Sequence, residues 1–195
     1  MNAPASSSLF STAVHRVVIR AAWFLAMLAA GLATVRPGVG ADTPTAALGT
    51  RHSETNGGFS ICPPAGWTLK EYPHMKFQAI VGPTARDFAP NVNIVDESSS
   101  GTLRAYVSAN VELLGRAFQS FKNLGQTEFK TASGWRGFRL TTESDQGGRR
   151  LRQIFYFFDG KDGKKLVFTC SAIAADGIVN DAMFDACLTS LVREK

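Results

Sequence analysis

The sequence is poor in the residues from which metal and catalytic sites are most often built. Its 195 residues include three cysteines and three histidines. His52 and His74 are the histidines outside the N-terminal segment described next, and they lie in separate, non-periodic stretches. A metal site needs several ligands held close together, and no Cys-x-x-Cys, Gly-x-Ser-x-Gly elbow or glycine-rich phosphate loop is present. We therefore expect no metal, no cofactor and no catalytic residues.

No acidic residue precedes Asp42, which sets the N-terminal segment apart from the rest of the chain. Residues 21–35 form an uncharged run of 15 residues, shorter than the roughly 20 that a membrane-spanning helix needs. Such a run behind a positive flank is typical of a signal peptide, and small residues lead up to Ala41. We predict that residues 1–41 are a signal peptide. The alternative is an uncleaved segment that anchors the chain to a membrane.

Much of the positive charge belongs to this segment. The whole chain has a net charge of +5, with 21 basic and 16 acidic residues. Without the segment's three arginines, 18 basic residues remain against the same 16 acidic ones, and the net charge falls to +2. Nucleic-acid binding requires a concentrated basic face. We therefore expect no nucleic-acid partner for the processed chain.

The remaining sequence predicts one α+β domain. Residues 42–57 show no periodicity and are interpreted as a flexible leader, and residues 58–195 as the domain. Hydrophobic periodicity predicts four strands, a helix, four strands and a final helix. Residues 155–158 are consecutive aromatics, so both faces of the sheet are expected to be covered. The predicted strands are 59–62, 67–70, 76–81, 91–95, 125–131, 135–142, 150–158 and 165–173; the predicted helices are 102–118 and 179–193.

The opening of this domain resembles a known family. Residues 58–67, GFSICPPAGW, resemble the start of the PsbP-like and DcrB-like domains of the Mog–PsbP superfamily, in which a short strand, a proline, a glycine and a tryptophan lead into the second strand. Residues 90–94, 134–138 and 184–191 resemble later landmarks of these domains. The resemblance covers residues 58–193. It implies an α/β/α sandwich, with a central antiparallel sheet flanked by helices, in a superfamily whose members are mostly non-enzymatic.

Two of the cysteines are candidates for a disulfide. Cys170 is predicted on the inward face of the last strand and Cys187 on the inward stripe of the final helix. An exported protein meets an oxidising compartment, and a bridge closing this loop would contribute about 3 kcal/mol. A helix axis, however, lies roughly 10 Å above a sheet, which is far for bridged cysteines. A disulfide and two buried thiols therefore remain as alternatives.

Basic residues surround the predicted hairpin between the last two strands. They form a candidate patch for an anionic partner or lipid headgroup. The alternative is a solvated turn whose charges discourage edge-to-edge pairing. The six residues are Arg149, Arg150, Arg152, Lys161, Lys164 and Lys165.

Together these features predict an exported, periplasmic or secreted, non-enzymatic accessory protein that binds another protein or an envelope component. One alternative is an enzyme of unfamiliar design that uses Cys62 or His74. Another is the same domain held at a membrane by an uncleaved N-terminal segment.

Overall fold

The computed structural model describes residues 47–194, so the predicted signal peptide, residues 1–41, lies outside the described residues. The described chain contains two helices and ten strands. The helices are α1 (Leu103–Ala117) and α2 (Gly177–Thr189). The strands are β1 (His52–Glu54), β2 (Phe59–Ile61), β3 (Thr68–Lys70), β4 (Ala79–Val81), β5 (Asn91–Ser98), β6 (Gln119–Lys130), β7 (Arg136–Gln146), β8 (Arg149–Asp159), β9 (Lys164–Ile173) and β10 (Val192–Arg193).

Seven strands form a large antiparallel sheet in the order β3-β4-β5-β9-β8-β7-β6. A small antiparallel sheet has the order β1-β2-β10. The predicted α+β class and antiparallel sheet are therefore confirmed. The hairpin between β8 and β9 turns at Asp162 and Gly163, whose φ angles of 55° and 69° suit an aspartate and a glycine.

One face of the large sheet packs against α2 and the small sheet. Its buried core combines Phe59 of β2 and Tyr156 and Phe158 of β8 with Phe184 and Leu188 of α2. Phe59 packs edge-on against Phe168 of β9, with ring centroids 5.3 Å apart. This aromatic packing joins the small sheet to the large one.

The opposite face packs against α1. Tyr106, Val107 and Leu114 of the helix share a core with Phe155 and Phe157 of β8. All four aromatics at 155–158 are fully buried, because successive residues of β8 enter the two cores alternately. The prediction that both sheet faces are covered at these positions is confirmed.

The helices begin close to where the sequence predicts them. The Thr102 hydroxyl accepts a hydrogen bond from the Ala105 backbone N–H at 3.2 Å and caps the start of α1. The second helix is shorter than predicted, since it ends at Thr189 and Val192–Arg193 then pair with β2 as β10.

The largest differences from the sequence prediction concern three strands. His52–Glu54, placed in the flexible leader, form β1 against β2. The two-residue β10 falls inside the predicted final helix. The short segments that form β1 and β10 were not recognised from their local pattern, and each forms its strand by pairing with β2. The strand β6, Gln119–Lys130, is longer than predicted. Two register shifts interrupt the alternation in its first half, so the sequence pattern did not indicate this part of the strand.

Candidate functional site

The six basic residues of the predicted patch lie in two groups at opposite ends of β8. The three arginines lie at its start, and the three lysines follow its end. At about 3.3 Å per residue, the strand separates the groups by more than about 20 Å. The structure therefore does not bring them together into one anionic-partner surface.

Two of the arginines are neutralised by carboxylates of this chain. Arg152 donates from Nε to both oxygens of Asp181 at 3.0 Å and from Nη2 to Oδ2 at 2.6 Å. Hydrogen bonding by Asp181 raises the pKa of the Arg152 guanidinium. Arg150 donates to Glu143 at 3.4 Å and to Asp145 at 3.2 Å. These groups link α2 to β7 and β8 through charge-assisted hydrogen bonds.

Arg139 extends this ion-pair network along α2. It donates from Nε and Nη2 to the two oxygens of Asp185, at 2.8 and 3.3 Å, and from Nη1 to Thr141 at 2.7 Å. The buried Tyr156 hydroxyl also donates to Asp185. Burial raises the pKa of this hydroxyl, which keeps it protonated and able to donate. This group was not predicted from the sequence, although Asp181 and Asp185, one turn apart on an apolar helix, indicate it.

The lysines at the other end of β8 also have partners. Lys164 and Lys76 both donate to Asp96, at 3.1 and 2.5 Å. Lys165 is buried and donates to Asp159 at 2.5 Å. Lys161, which is exposed, has no ion pair within residues 47–194. The solvated-turn interpretation thus describes Lys161 better than the buried Lys165.

The three cysteines are free thiols. Cys170 and Cys187 point inward as predicted and belong to the same core. Burial raises the pKa of both thiols, which keeps them protonated and unreactive. The structure thus shows the two buried thiols rather than the disulfide. Cys62 is half-buried, and its backbone N–H donates to the Ser190 hydroxyl at 2.8 Å.

The two histidines lie in different environments. His52 Nε2 is 3.0 Å from Glu54 Oε1, and both line a cleft of about 460 Å³ together with Tyr72. His74 is exposed, in a turn with a φ of 68°. Within residues 47–194, no three His, Cys, Asp or Glu side chains are grouped closely enough to hold a metal ion. No helix in that range is long and apolar enough to cross a membrane.

A row of neutral polar side chains is buried on the α1 side of the sheet. Gln146 Nε2 donates to Ser144 at 2.8 Å and to Gln153 Oε1 at 2.7 Å. Gln153 Nε2 donates to Ser171 at 3.0 Å, and Ser171 lies opposite Asn91 in the register of β9 and β5. The row crosses four strands without a charged group. The sequence predicted that both faces of the sheet would be covered, but not that this face would carry a row of buried polar side chains.

An apolar surface is exposed where α2 begins. The exposed fractions of Ile178 and Val179 are 86% and 65%. Gly177, the first residue of α2, lies so close to the Arg152 side chain that a Cβ at this position would collide with it. This close approach holds the start of the helix on the sheet. A cleft of about 200 Å³ lies beside this turn, and its lining includes Trp67 and Met183. Exposed apolar side chains beside a cleft are typical of protein-binding surfaces.

The comparisons with known proteins concern the fold. No protein-family model and no curated protein matches the sequence. The structure is similar to the solution structure of the cyanobacterial PsbP protein CyanoP from Synechocystis sp. PCC 6803. The identity is 16%, the TM-score is 0.56, and the match covers 80% of this chain and 98% of CyanoP.

It is also similar to the crystal structure of PA94, a Pseudomonas aeruginosa protein of unknown function, at 15% identity and a TM-score of 0.55. That match covers 76% of this chain and 99% of PA94. At these identities the similarity shows the fold alone. The PsbP-like fold implied by the sequence is thus supported, whereas the DcrB-like part of the resemblance stays a prediction.

Proposed function

We propose that the protein is an exported, non-enzymatic accessory protein of the cell envelope that binds another protein through the apolar surface at the start of α2. The exposure of Ile178 and Val179 is the observation that carries this proposal. Exposing two neighbouring large apolar side chains is unfavourable in water, and a protein partner that covers them recovers this free energy.

The neighbouring cleft suits a protein rather than a small polar ligand. Trp67 and Met183 are among its lining, together with Pro83, Phe88 and Pro90. Such a surface accepts an apolar anchor from a partner. The Arg86–Asp176 pair, with an Nη2–Oδ1 distance of 3.4 Å, supplies polar groups beside it. An apolar centre with polar groups around it is the usual composition of a protein interface.

Export and fold detail form part of the same proposal. The uncharged run of residues 21–35 and the small residues before Ala41 favour cleavage and a periplasmic or secreted product.

We infer that α1 and α2 form the outer layers of an α/β/α sandwich, since the cores on the two faces of the large sheet each include one helix. The PsbP-like fold supports an accessory role only by analogy, because one fold can host many functions.

The test uses the full chain with a C-terminal affinity tag, expressed in its native cells, and a pull-down from the envelope fraction. We expect a stoichiometric protein partner that the Ile178→Asp/Val179→Asp double variant no longer captures. Leu124→Asp is the matched control, because Leu124 is an exposed leucine on β6. Capture that survives the double variant, or no partner at all, would count against the proposal.

The intact mass of the purified chain distinguishes the alternatives. Loss of residues 1–41 is expected for an exported product. Retention of this segment with recovery in the membrane fraction would favour the anchored form. Fast and selective alkylation of Cys62 in the folded protein would favour the enzyme alternative.

A further inference from the structure

The outward side of α2 is uncharged, which is unusual for a helix on a protein surface. Ile178, Val179 and Ala182 are exposed, and the half-buried Ala186 follows one turn later on the same side. The aspartates of the helix pair instead with arginines of the sheet. The inward side contributes Phe184 to the core. A helix that is apolar on both sides is normally covered on both, and residues 47–194 supply no cover for the outward side of Ile178 and Val179.

The described chain begins next to this surface. The Ala47 carbonyl accepts a hydrogen bond from the Ala65 N–H at 2.8 Å, and the Pro64 carbonyl accepts one from the Trp67 N–H at 3.1 Å. The Trp67 ring packs edge-on against Phe184 of α2, with centroids 5.9 Å apart, and lines the cleft beside the helix. The chain that precedes Ala47 is therefore joined to the domain beside the apolar surface of α2.

The chain before Ala47 contains an apolar segment of its own. Residues 21–35 are uncharged and include one tryptophan, one phenylalanine and three leucines. Residues 36–46 connect this segment to Ala47, and at about 3.3 Å per residue they can span up to about 36 Å. The helix α2 is about 20 Å long at 1.5 Å per residue. The segment can therefore reach any part of the outward side of α2.

The short connection favours contact between the segment and α2. A group held on a tether of this length meets a nearby surface at an effective concentration on the order of 1 mM. Both surfaces are apolar, so packing them together removes both from water. Residues 42–46, which remain after the predicted cleavage, contain no large apolar side chain and do not replace the segment.

We propose that residues 21–35 cover the outward side of α2 and its neighbouring cleft in the unprocessed chain, and that removal of residues 1–41 uncovers this surface. The consequence for regulation rests on the proposed function, because it means that the chain binds its protein partner only after processing. The contact between the segment and α2 involves no partner, so it is tested separately.

The test measures how fast a maleimide labels Val179→Cys in the full chain, before and after the segment is cut from the folded protein. A recognition sequence for a site-specific protease is inserted after Ala41, and the masses of the peptides identify the labelled cysteine. We expect labelling to be about tenfold slower before cutting, because an effective concentration near 1 mM keeps the segment on the surface for most of the time.

Leu124→Cys is the matched control, because Leu124 is an exposed residue on the edge strand β6. Its labelling rate should be the same before and after cutting. A second variant combines Val179→Cys with Phe24→Asp and Leu28→Asp, which place two charges in the apolar segment. This variant should be labelled quickly even before cutting, since charged side chains oppose burial of the segment.

The proposal is overturned if Val179→Cys reacts at the same rate before and after cutting, or if the charged segment protects it equally well. Protection that disappears on dilution would also overturn it, because the segment of another molecule would then be the cover. A partner captured by the processed chain, without protection in this test, would refute this inference alone. Protection without any captured partner would refute the proposed function alone.

Discussion

Two adjacent carboxyl groups on β5 should affect stability in opposite directions. Asp96 and Glu97 point to opposite faces of the sheet. Asp96 receives hydrogen bonds from Lys76 and Lys164. Its burial favours the neutral form, but the two lysines outweigh this effect and lower the pKa of Asp96. Glu97 is buried without such a partner in the described part of the chain, and its pKa rises from 4.5 to about 7.

The sign of each effect follows from linkage. The raised pKa of Glu97 means that the folded state holds this proton more tightly than the unfolded state. Its contribution is fully favourable below about pH 4.5 and is lost as the pH rises through about 7. The full shift corresponds to roughly 3 kcal/mol, and solvent screening reduces the expected loss to about 2 kcal/mol.

Glu97→Gln keeps this position neutral at every pH. The variant should match the unchanged protein near pH 4.5 and exceed its free energy of unfolding by about 2 kcal/mol above pH ~8. Asp96→Asn is the matched control with the reverse sign. It should lower the free energy of unfolding by about 1 kcal/mol at neutral pH, and this difference should vanish as the pH falls through the lowered pKa of Asp96.

Urea unfolding followed by tryptophan fluorescence measures both variants across this pH range, since Trp67 and Trp135 both pack against the buried core. A Glu97→Gln variant that is less stable than the unchanged protein at high pH would refute the reasoning. That outcome would show that the ionised carboxylate has a favourable partner in the folded state.

Three further predictions follow from the packing. Arg152→Gln and Asp181→Asn should each lower the free energy of unfolding by about 2 kcal/mol, and the double variant by less than their sum, because each single change removes the shortest ion pair of its half-buried partner. Urea midpoints test this, and simple additivity would contradict it. Cys170 and Cys187 should not react with iodoacetamide in the folded protein and should react after denaturation, and the intact mass of the chain measures both reactions. Labelling of either cysteine in the folded protein, or a disulfide between them, would contradict this prediction. Gly137→Ala should lower the free energy of unfolding by about 3 kcal/mol, because the Cβ of the new alanine would collide with a backbone carbonyl oxygen of the neighbouring strand β8. An unchanged melting temperature of the variant would disprove the collision.

The long elements of this fold were predictable because each carries its own periodic pattern. The strand of residues 165–173 and the helix capped by Thr102 both repeat a pattern over several residues, and the structure contains both. In the small sheet, β2 was predicted but β1 and β10 were not. The strands β1 and β10 are three and two residues long and lie more than 130 positions apart in the sequence. They pair with opposite edges of β2. Such pairing depends on the packed core and not on local pattern.

The candidate sites were harder to predict for a related reason. The arginine and lysine groups are neighbours in sequence, yet an extended strand places them at opposite ends of β8. Arg139 and Asp185 are 46 positions apart and meet through α2.

The two faces of the large sheet differ in how completely their buried polar groups are paired. On the α2 side, guanidinium groups and aspartates satisfy each other, and Tyr156 completes the network. On the α1 side, Tyr106 and Asn110 have polar oxygens without a partner in residues 47–194. A chain under selection for stability alone would replace such groups with apolar ones, since removing a buried unpaired polar group is close to neutral or stabilising. The unpaired oxygens of Tyr106 and Asn110 therefore carry a cost to stability that the paired groups on the α2 side do not.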